Sequence, residues 1–404
     1  MDRLYLILQR YFGHTAFRPY QQEIIRDLLD GRDVLAVLAT GEGKSLCHQI
    51  PALMGDGVTI VVSPLIALMK DQVDDLQVRG ISAEALNSSC SYTATRRIHS
   101  ELRENAVQIL YVSPEKAVSN DFLTLIAPLT VSLIAVDEAH CISMWGHQFR
   151  PEYRTLRILK GQFPQVPMAA LTATATPDVR DDIARQLNLN NPEVYIGSFN
   201  RENLRYAVIQ KEENTYERLR GYLQGRRGEA GIIYAATRDG AETLAVRLRA
   251  DGISALPYHA GMTAAARART HDLFMTGRVR VVSATSAFGM GIDKPDVRFV
   301  IHHDMPETIE TYYQESGRAG RDGGESDCIL FYHKDDAKRL RSLIDRDLPS
   351  EFRREVARTK LQKMVSYCSA TEGCRRQKIL EYFGERFEKL PCSGCDICNP
   401  SFVP

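Results

Sequence analysis

Short apolar runs alternate with amphipathic stretches along the first half of this chain, and after a polar interval the same rhythm starts again. The first series falls at residues 34–38, 59–62, 109–112, 133–136 and 168–171. Runs of this length, separated by helical periodicity, are buried strands of a parallel sheet joined by crossover helices. The second series, at 231–234, 255–258, 279–283, 299–302 and 328–332, follows a polar stretch at 198–203. The pattern predicts an α/β chain with two parallel-sheet lobes, residues 1–199 and 200–333. From Lys334 onward basic amphipathic helices give way to a Gly-, Pro- and Cys-rich tail without strand alternation, which predicts a small helical third domain, 334–404. The two α/β halves share no visible sequence repeat, so their motifs are read separately.

At 404 residues the chain exceeds what one hydrophobic core organises, and 44% hydrophobic with 25% charged residues excludes disordered and fibrous classes. Lys and Arg together number 51, as do Asp and Glu, so no whole-protein positive field announces a nucleic-acid partner. A local basic surface is one expectation for 334–378, where Arg339, Arg341, Arg353, Arg354, Arg358, Lys360, Lys363, Arg375 and Arg376 outweigh the acids; a plain solvated helical face fits as well. No run is long enough to span a bilayer and the first ten residues lack a signal peptide's apolar core, so the chain is expected to stay inside the cell, away from membranes.

After the first apolar run comes Ala39-Thr40-Gly41-Glu42-Gly43-Lys44-Ser45, a strand-to-helix turn whose glycines let backbone N–H groups converge on phosphate oxygens. In this pattern Thr40, Gly41 and Gly43 shape the cradle, Lys44 reaches the β and γ phosphates of ATP, and Ser45 holds Mg2+. The usual pattern has glycine where Leu38 stands. The apolar run 133–136 ends in Asp137-Glu138-Ala139-His140, which puts two carboxylates at the carboxyl edge of a parallel sheet, where nucleotides bind. Asp137 is expected to hold the magnesium through water, and Glu138 to orient or deprotonate the attacking water.

Nine cysteines do not suggest a secreted scaffold in a chain this long. Cys374 with Cys392, Cys395 and Cys398 gives one distant thiol and a CxxCxxC cluster, a spacing that favours a closed four-thiolate zinc site. Iron–sulfur ligation is the alternative, although such runs normally continue to a fourth nearby cysteine. Cys47, Cys90, Cys141, Cys328 and Cys368 are expected to be core thiols.

Together with Thr172-Ala173-Thr174 and Gln314-Glu315-Ser316-Gly317-Arg318-Ala319-Gly320-Arg321, the lysine loop and Asp-Glu-Ala-His resemble the ordered motifs of superfamily 2 helicases. Within that group the chain is similar to the RecQ family. The words that carry the likeness are Phe17-Arg18-Pro19-Tyr20-Gln21, the segment from Ser143 through Trp145, Phe149 and Arg150 to Tyr153, Ala287-Phe288-Gly289-Met290-Gly291-Ile292-Asp293-Lys294-Pro295, and the terminal cysteines. The resemblance covers roughly residues 4 to 400, and implies two RecA-like lobes followed by a helical zinc-binding domain.

It further implies that Arg18 and Gln21 contact adenine; the family's stacking aromatic would fall at His14, which leaves that stacking contact open. Arg318 and Arg321 would stabilise γ-phosphate charge, and Asp293 would face the nucleotide. Trp145, His147, Phe149 and Arg150 would form an aromatic-rich loop that senses single-stranded DNA, offering stacking surfaces of about 1 to 3 kcal/mol per base. Thr285, Ser286 and Arg238 would meet the DNA backbone, as would 63–65, 113–115 and 259–261. The implied activity is ATP-driven 3′-to-5′ movement on single-stranded DNA with duplex unwinding, in repair and recombination, with ATP, Mg2+ and Zn2+ as cofactors. The implied partners are single-stranded and tailed duplex DNA. The protein is expected to be monomeric and cytoplasmic, at the nucleoid, or nuclear in a eukaryote, and contacts with a single-stranded-DNA-binding protein stay open. An RNA helicase and a DNA-binding module without turnover are the competing readings; the aromatic loop and zinc cysteines argue against the first, and Lys44, Glu138 and Arg321 against the second. Many family members continue into a winged-helix domain and a further helical domain, whereas this sequence stops at Pro404, so robust ATP hydrolysis with weak unwinding is expected.

Overall fold

The computed structural model describes residues 2–146, 148–289, 294–389 and 391–402, which fall into two compact units, Met1–Ser198 and Phe199–Pro404. In the first unit, among the described residues, the strands are β1 (Val34–Val37), β2 (Val58–Val62), β3 (Ala83–Leu86), β4 (Ile109–Val112), β5 (Val131–Val136), β6 (Met168–Thr172) and β7 (Glu193–Ile196). They form one sheet in the order β3-β4-β2-β5-β6-β1-β7, parallel at every pairing. β1, β2, β4 and β6 are buried at every position, as strands covered by helices on both faces must be. Their Val, Ile and Leu side chains pack against Ile24, Ile25, Ile50 and Met69 from the flanking helices.

The second unit has β8 (Leu204–Gln210), β9 (Ala230–Tyr234), β10 (Ala255–Tyr258), β11 (Val281–Ala284), β12 (Val297–His302) and β13 (Ser326–Tyr332). Their order is β10-β11-β9-β12-β13-β8, again parallel throughout. The helices Lys334–Asp347, Glu351–Ser369 and Arg375–Tyr382 pack within this same unit. The cysteine-rich tail, without strand alternation in sequence, forms no strand of its own among the described residues but makes one isolated bridge: Tyr206 N–H donates to Gly394 O at 3.0 Å and Asp396 N–H to Tyr206 O at 3.0 Å. The cysteine loop thereby covers the outer side of edge strand β8.

Three strands escaped the sequence pattern. β3 is Ala-Glu-Ala-Leu and β7 is a largely exposed edge, so neither shows a continuous apolar run. β8 alternates buried and half-buried positions along Leu-Arg-Tyr-Ala-Val-Ile-Gln. Several of the bases of 334–378 are engaged within the fold. Lys360 is buried against Glu310, Arg358 pairs with Asp345 and Glu351, Arg354 pairs with Glu351, and Arg375 and Arg376 are buried in internal hydrogen bonds. Cys90 is a second correction, since it is half-buried where Cys47, Cys141, Cys328 and Cys368 are buried. Among the described residues, no helix is long and apolar enough to cross a membrane.

Candidate nucleotide, nucleic-acid and zinc sites

In the first sheet β6 lies between β5 and β1, so the segments that follow these three strands emerge side by side, about 4.8 Å apart per strand step. The lysine loop follows β1, Asp137 and Glu138 follow β5, and Thr172 closes β6. Gly41 and Gly43 take left-handed φ values of 90° and 73°, which a side chain would strain. A Cβ on Gly43 would also stand 2.5 Å from Gln21 Nε2.

Gln21 donates to Glu42 O at 3.1 Å and Gly43 O at 3.0 Å, and its own Oε1 accepts from Arg18 N–H at 2.9 Å. Arg18 donates to Gly41 O. Both residues read from sequence as adenine contacts thus hold the lysine loop from outside. Lys44 Nζ donates to Leu38 O at 3.0 Å and Ala39 O at 3.4 Å, and Ser45 stands at the start of the helix Leu46–Ala52. Leu38, standing where the pattern has glycine, is buried in the core. His14 is exposed.

Asp137 is half-buried at the end of β5, and its carboxyl is pushed up to about 7 by desolvation and then by Glu138, with Lys44 pulling the other way. An acidic pair this poorly neutralised fits a divalent cation, and Ser45 and Asp137 supply the oxygen donors that magnesium prefers. Glu138 occupies a left-handed conformation, φ 49°. Strain of this kind in a residue other than glycine clusters at functional sites. Glu138 Oε2 lies 3.3 Å from His140 Nδ1, which is 2.8 Å from Thr172 Oγ1. Burial alone would lower the His140 pKa; Cys141 and Glu138 outweigh it and hold the ring well above its ordinary value.

The segment after Glu138 runs through the short helix Ala139–Ile142 into the aromatic loop. Ser143 donates to Asp182 Oδ2 at 2.7 Å and accepts from Trp145 N–H at 3.2 Å. Gly146 admits no side chain, because a Cβ would sit 2.5 Å from His140 O. Trp145 is 44% exposed, which excludes a core role. Phe149 lies under the Arg154 guanidinium at 5.4 Å, Arg150 donates to Pro64 O at 3.2 Å, and Tyr153 donates to Asp137 O at 3.0 Å. The loop is therefore fastened at both ends to the acidic motif and to the turn after β2. His147, like Asp293 in the second unit, lies outside the described residues.

The second unit carries Arg318 and Arg321 on the turn after the helix Ile309–Ser316. Arg318 is buried, its Nη2 3.3 Å from where a Cβ on Gly289 would stand. Glu315 accepts from His302 Nε2 at 2.8 Å, and Tyr234 donates to Phe288 O at 2.7 Å. Thr285 and Arg238 follow β11 and β9 at the carboxyl edge of this sheet, the edge where such folds bind ligands. Sequence reasoning missed Arg201 and Asn203, which organise the arginine turn, with only the polar character of 198–203 as a hint, and it read Arg376 as a surface base where it serves 200–204.

Cys374, Cys392, Cys395 and Cys398 converge, each sulfur within 4.8 Å of the others. Tetrahedral zinc with Zn–S near 2.3 Å places sulfurs about 3.8 Å apart, so the cluster fits that ion. Two backbone donors support it, Gln377 N–H to Cys374 Sγ at 3.5 Å and Cys398 N–H to Cys395 Sγ at 3.4 Å.

Family models match along the chain: DEAD/DEAH box helicase over residues 18–183, helicase conserved C-terminal domain over 214–323, and RecQ zinc-binding over 334–399. The fold and its loops are those of a two-lobed helicase. More particularly, the chain belongs to the RecQ helicase family. It is 47% identical over 97% of its length to the ATP-dependent DNA helicase RecQ of Pasteurella multocida, and 44% identical over 99% to that of Bacillus subtilis. It spans 61% and 67% of those two proteins' lengths. In fold it is similar to Dbp5 of S. cerevisiae bound to RNA and ADP BeF3, with TM-score 0.67, 18% identity, and coverage of 89% of this chain and 98% of that one.

Proposed function

We propose that this chain is an ATP-dependent DNA helicase motor that hydrolyses ATP to move 3′ to 5′ along single-stranded DNA and open duplexes, in DNA repair and recombination. The observation that carries the reading is the contact chain from Glu138 through His140 to Thr172, on the same short segment that leads to exposed Trp145. A carboxylate suited to activate water is thereby joined to an aromatic surface suited to unstacked bases.

In this reading Thr40, Gly41, Gly43 and Lys44 bind the phosphates, and Arg18 and Gln21 exchange loop carbonyls for the base. Ser45 and Asp137 hold Mg2+, which when bound neutralises developing phosphate charge. Glu138 orients the attacking water. Arg318 and Arg321 stabilise the transferring phosphoryl group, and Asp293 faces the nucleotide. Trp145, His147 and Phe149 meet bases, while Arg150, Arg238 and Thr285 meet phosphates, so grip should weaken steeply with salt. The four cysteines hold a structural Zn2+ with no open coordination position, which leaves the metal no catalytic part. The motor acts as a monomer on single-stranded and tailed duplex DNA, in the cytoplasm at the nucleoid or in the nucleus, and contacts with a single-stranded-DNA-binding protein would add to its recruitment.

The test is ATP hydrolysis by the parent and Lys44→Ala chains, with single-stranded DNA or RNA of equal length. DNA should stimulate the parent far more than RNA, and Lys44→Ala should lose the rate while keeping its fold. Near-normal turnover in a folded Lys44→Ala protein would overturn the phosphate-loop assignment, and preference for RNA would favour an RNA motor.

A further inference from the structure

The turn bearing Arg318 and Arg321 ends a helix, where backbone carbonyls need donors from elsewhere. They find them far away in the sequence. Arg201 donates from Nη1 to Gly317 O at 3.4 Å, and from Nη2 to Ala319 O at 3.0 Å and Gly320 O at 2.7 Å. Asn203 Nδ2 donates to Gly320 O at 2.8 Å and Gly324 O at 2.9 Å. A guanidinium at this end also faces the negative pole of the helix. The fit is close on both sides: Gly320 has φ 55°, and a Cβ there would lie 2.4 Å from Asn203 Nδ2.

Residues 200–204 are themselves fixed from behind. Arg376, buried two positions after Cys374, donates to Asn200 Oδ1 at 2.7 Å, Arg201 O at 2.6 Å and Leu204 O at 2.6 Å. One continuous set of hydrogen bonds thus runs from the helix headed by a cysteine of the cluster, through 200–204, to the arginine turn.

We propose that Arg201, seconded by Asn203, is a positioning residue for ATP hydrolysis: it holds 317–320 so that Arg318 and Arg321 leave the turn in a fixed direction. The proposal rests on the reading that those two arginines act on the transferring phosphoryl group. Arg205 supplies an internal comparison. It sits on β8 beside the same segment, yet its guanidinium pairs with Asp327 at 2.7 Å and lies over the Phe402 ring at 4.8 Å, away from the turn.

The experiment measures kcat and KM for ATP at saturating single-stranded DNA on the full chain, together with ADP affinity, zinc content and Tm. Arg201→Ala is expected to lower kcat about 10²-fold, the scale of a misplacement near 1 Å, with KM, ADP affinity and zinc retained. Arg201→Lys, which keeps the charge but cannot span three carbonyls, should fall between it and the parent, and carries the test if the alanine variant does not fold. Arg205→Ala should keep the parent kcat. Adding Arg201→Ala to a chain that already carries Arg318→Ala and Arg321→Ala should slow it no further, since the brace acts only through those two side chains. A parent-like kcat in Arg201→Ala, or an equal loss in Arg205→Ala, overturns the positioning role. If Arg321→Ala itself turns over like the parent, the reading of the arginine turn fails first and the brace falls with it.

Discussion

Thr172 Oγ1 stands 2.8 Å from Nδ1 of His140, with both side chains fully buried, and this contact joins motifs that leave neighbouring strands. His140 reaches on to Glu138, while the backbone of Thr172 accepts from Leu38 N–H at 3.0 Å, at the root of the lysine loop. Thr172→Val keeps the shape and deletes the hydroxyl. The expected stability cost is about 1 to 3 kcal/mol, because a buried polar partner is left short of a hydrogen bond. The DNA-stimulated rate should fall on the order of tenfold, about 1.4 kcal/mol, with ADP affinity kept, since His140, which faces Glu138, loses the hydroxyl that fixes its ring. Steady-state hydrolysis with and without DNA measures this, and unchanged rates would make the contact structural only.

Asp137 gives a pH signature. Its carboxyl is raised to about 7, by burial first and by Glu138 second, whereas an unfolded aspartate titrates near 3.9. Between roughly pH 4 and 7 the native chain therefore binds more protons than the unfolded one, and the group's contribution to stability declines as pH rises through that window. Asp137→Asn should raise the nucleotide-free Tm above pH 7, with a difference that shrinks toward pH 4. Thermal scans of both proteins across that range test it; a pH-independent difference would mean the carboxylate is ionised and satisfied throughout.

The fully buried strands were legible because both faces are covered, as in β1, β2 and β4. The edges were not: β7 and β8 carry Glu193 and Arg205 among their apolar residues and are exposed or half-buried in part. The same distinction divides the site. Lys44, Asp137, Glu138 and the cysteines announced themselves through spacing along the chain. Arg201 and Arg376 act on carbonyls more than 100 residues away, and nothing local marks a guanidinium that will serve backbone rather than phosphate. Composition likewise does not say which bases of 334–378 are engaged, since pairing of Arg358 with Asp345 or Lys360 with Glu310 depends on tertiary placement.

Trp145 separates sensing from chemistry. Because it is exposed, Trp145→Ala should change stability by no more than about 0.5 kcal/mol. It removes a stacking surface worth roughly 1 to 3 kcal/mol, so the DNA concentration for half-maximal stimulation should rise about tenfold and the stimulated rate should fall, while the basal ATPase stays close to the parent's. Titrating single-stranded DNA into both proteins decides it. Equal loss of basal and stimulated rates would show that the ring supports the fold of the acidic motif instead.

The cysteine cluster should behave as a local fold determinant of the second unit. Cys374 caps the helix Arg375–Tyr382, and Cys395 bridges Tyr206 on the edge strand β8, so the ion would tie a helix start and a sheet edge to one point. Structural zinc sites contribute roughly 10 to 16 kcal/mol of binding free energy that is also folding free energy. Elemental analysis should therefore find one tightly held zinc per chain. Cys395→Ser, which replaces a fully buried ligand, should lower the stability of the second unit sharply, and prolonged chelation should do the same to the parent. Amide exchange should locate the damage: protection is expected to fall in 374–398 and along β8 while β1, β5 and β6 keep theirs, because the first unit has its own core. Loss of protection spread evenly over both units would contradict a local role. Iron with labile sulfide, or a well-folded chain without metal, would show that these four sulfurs are brought together for something other than zinc.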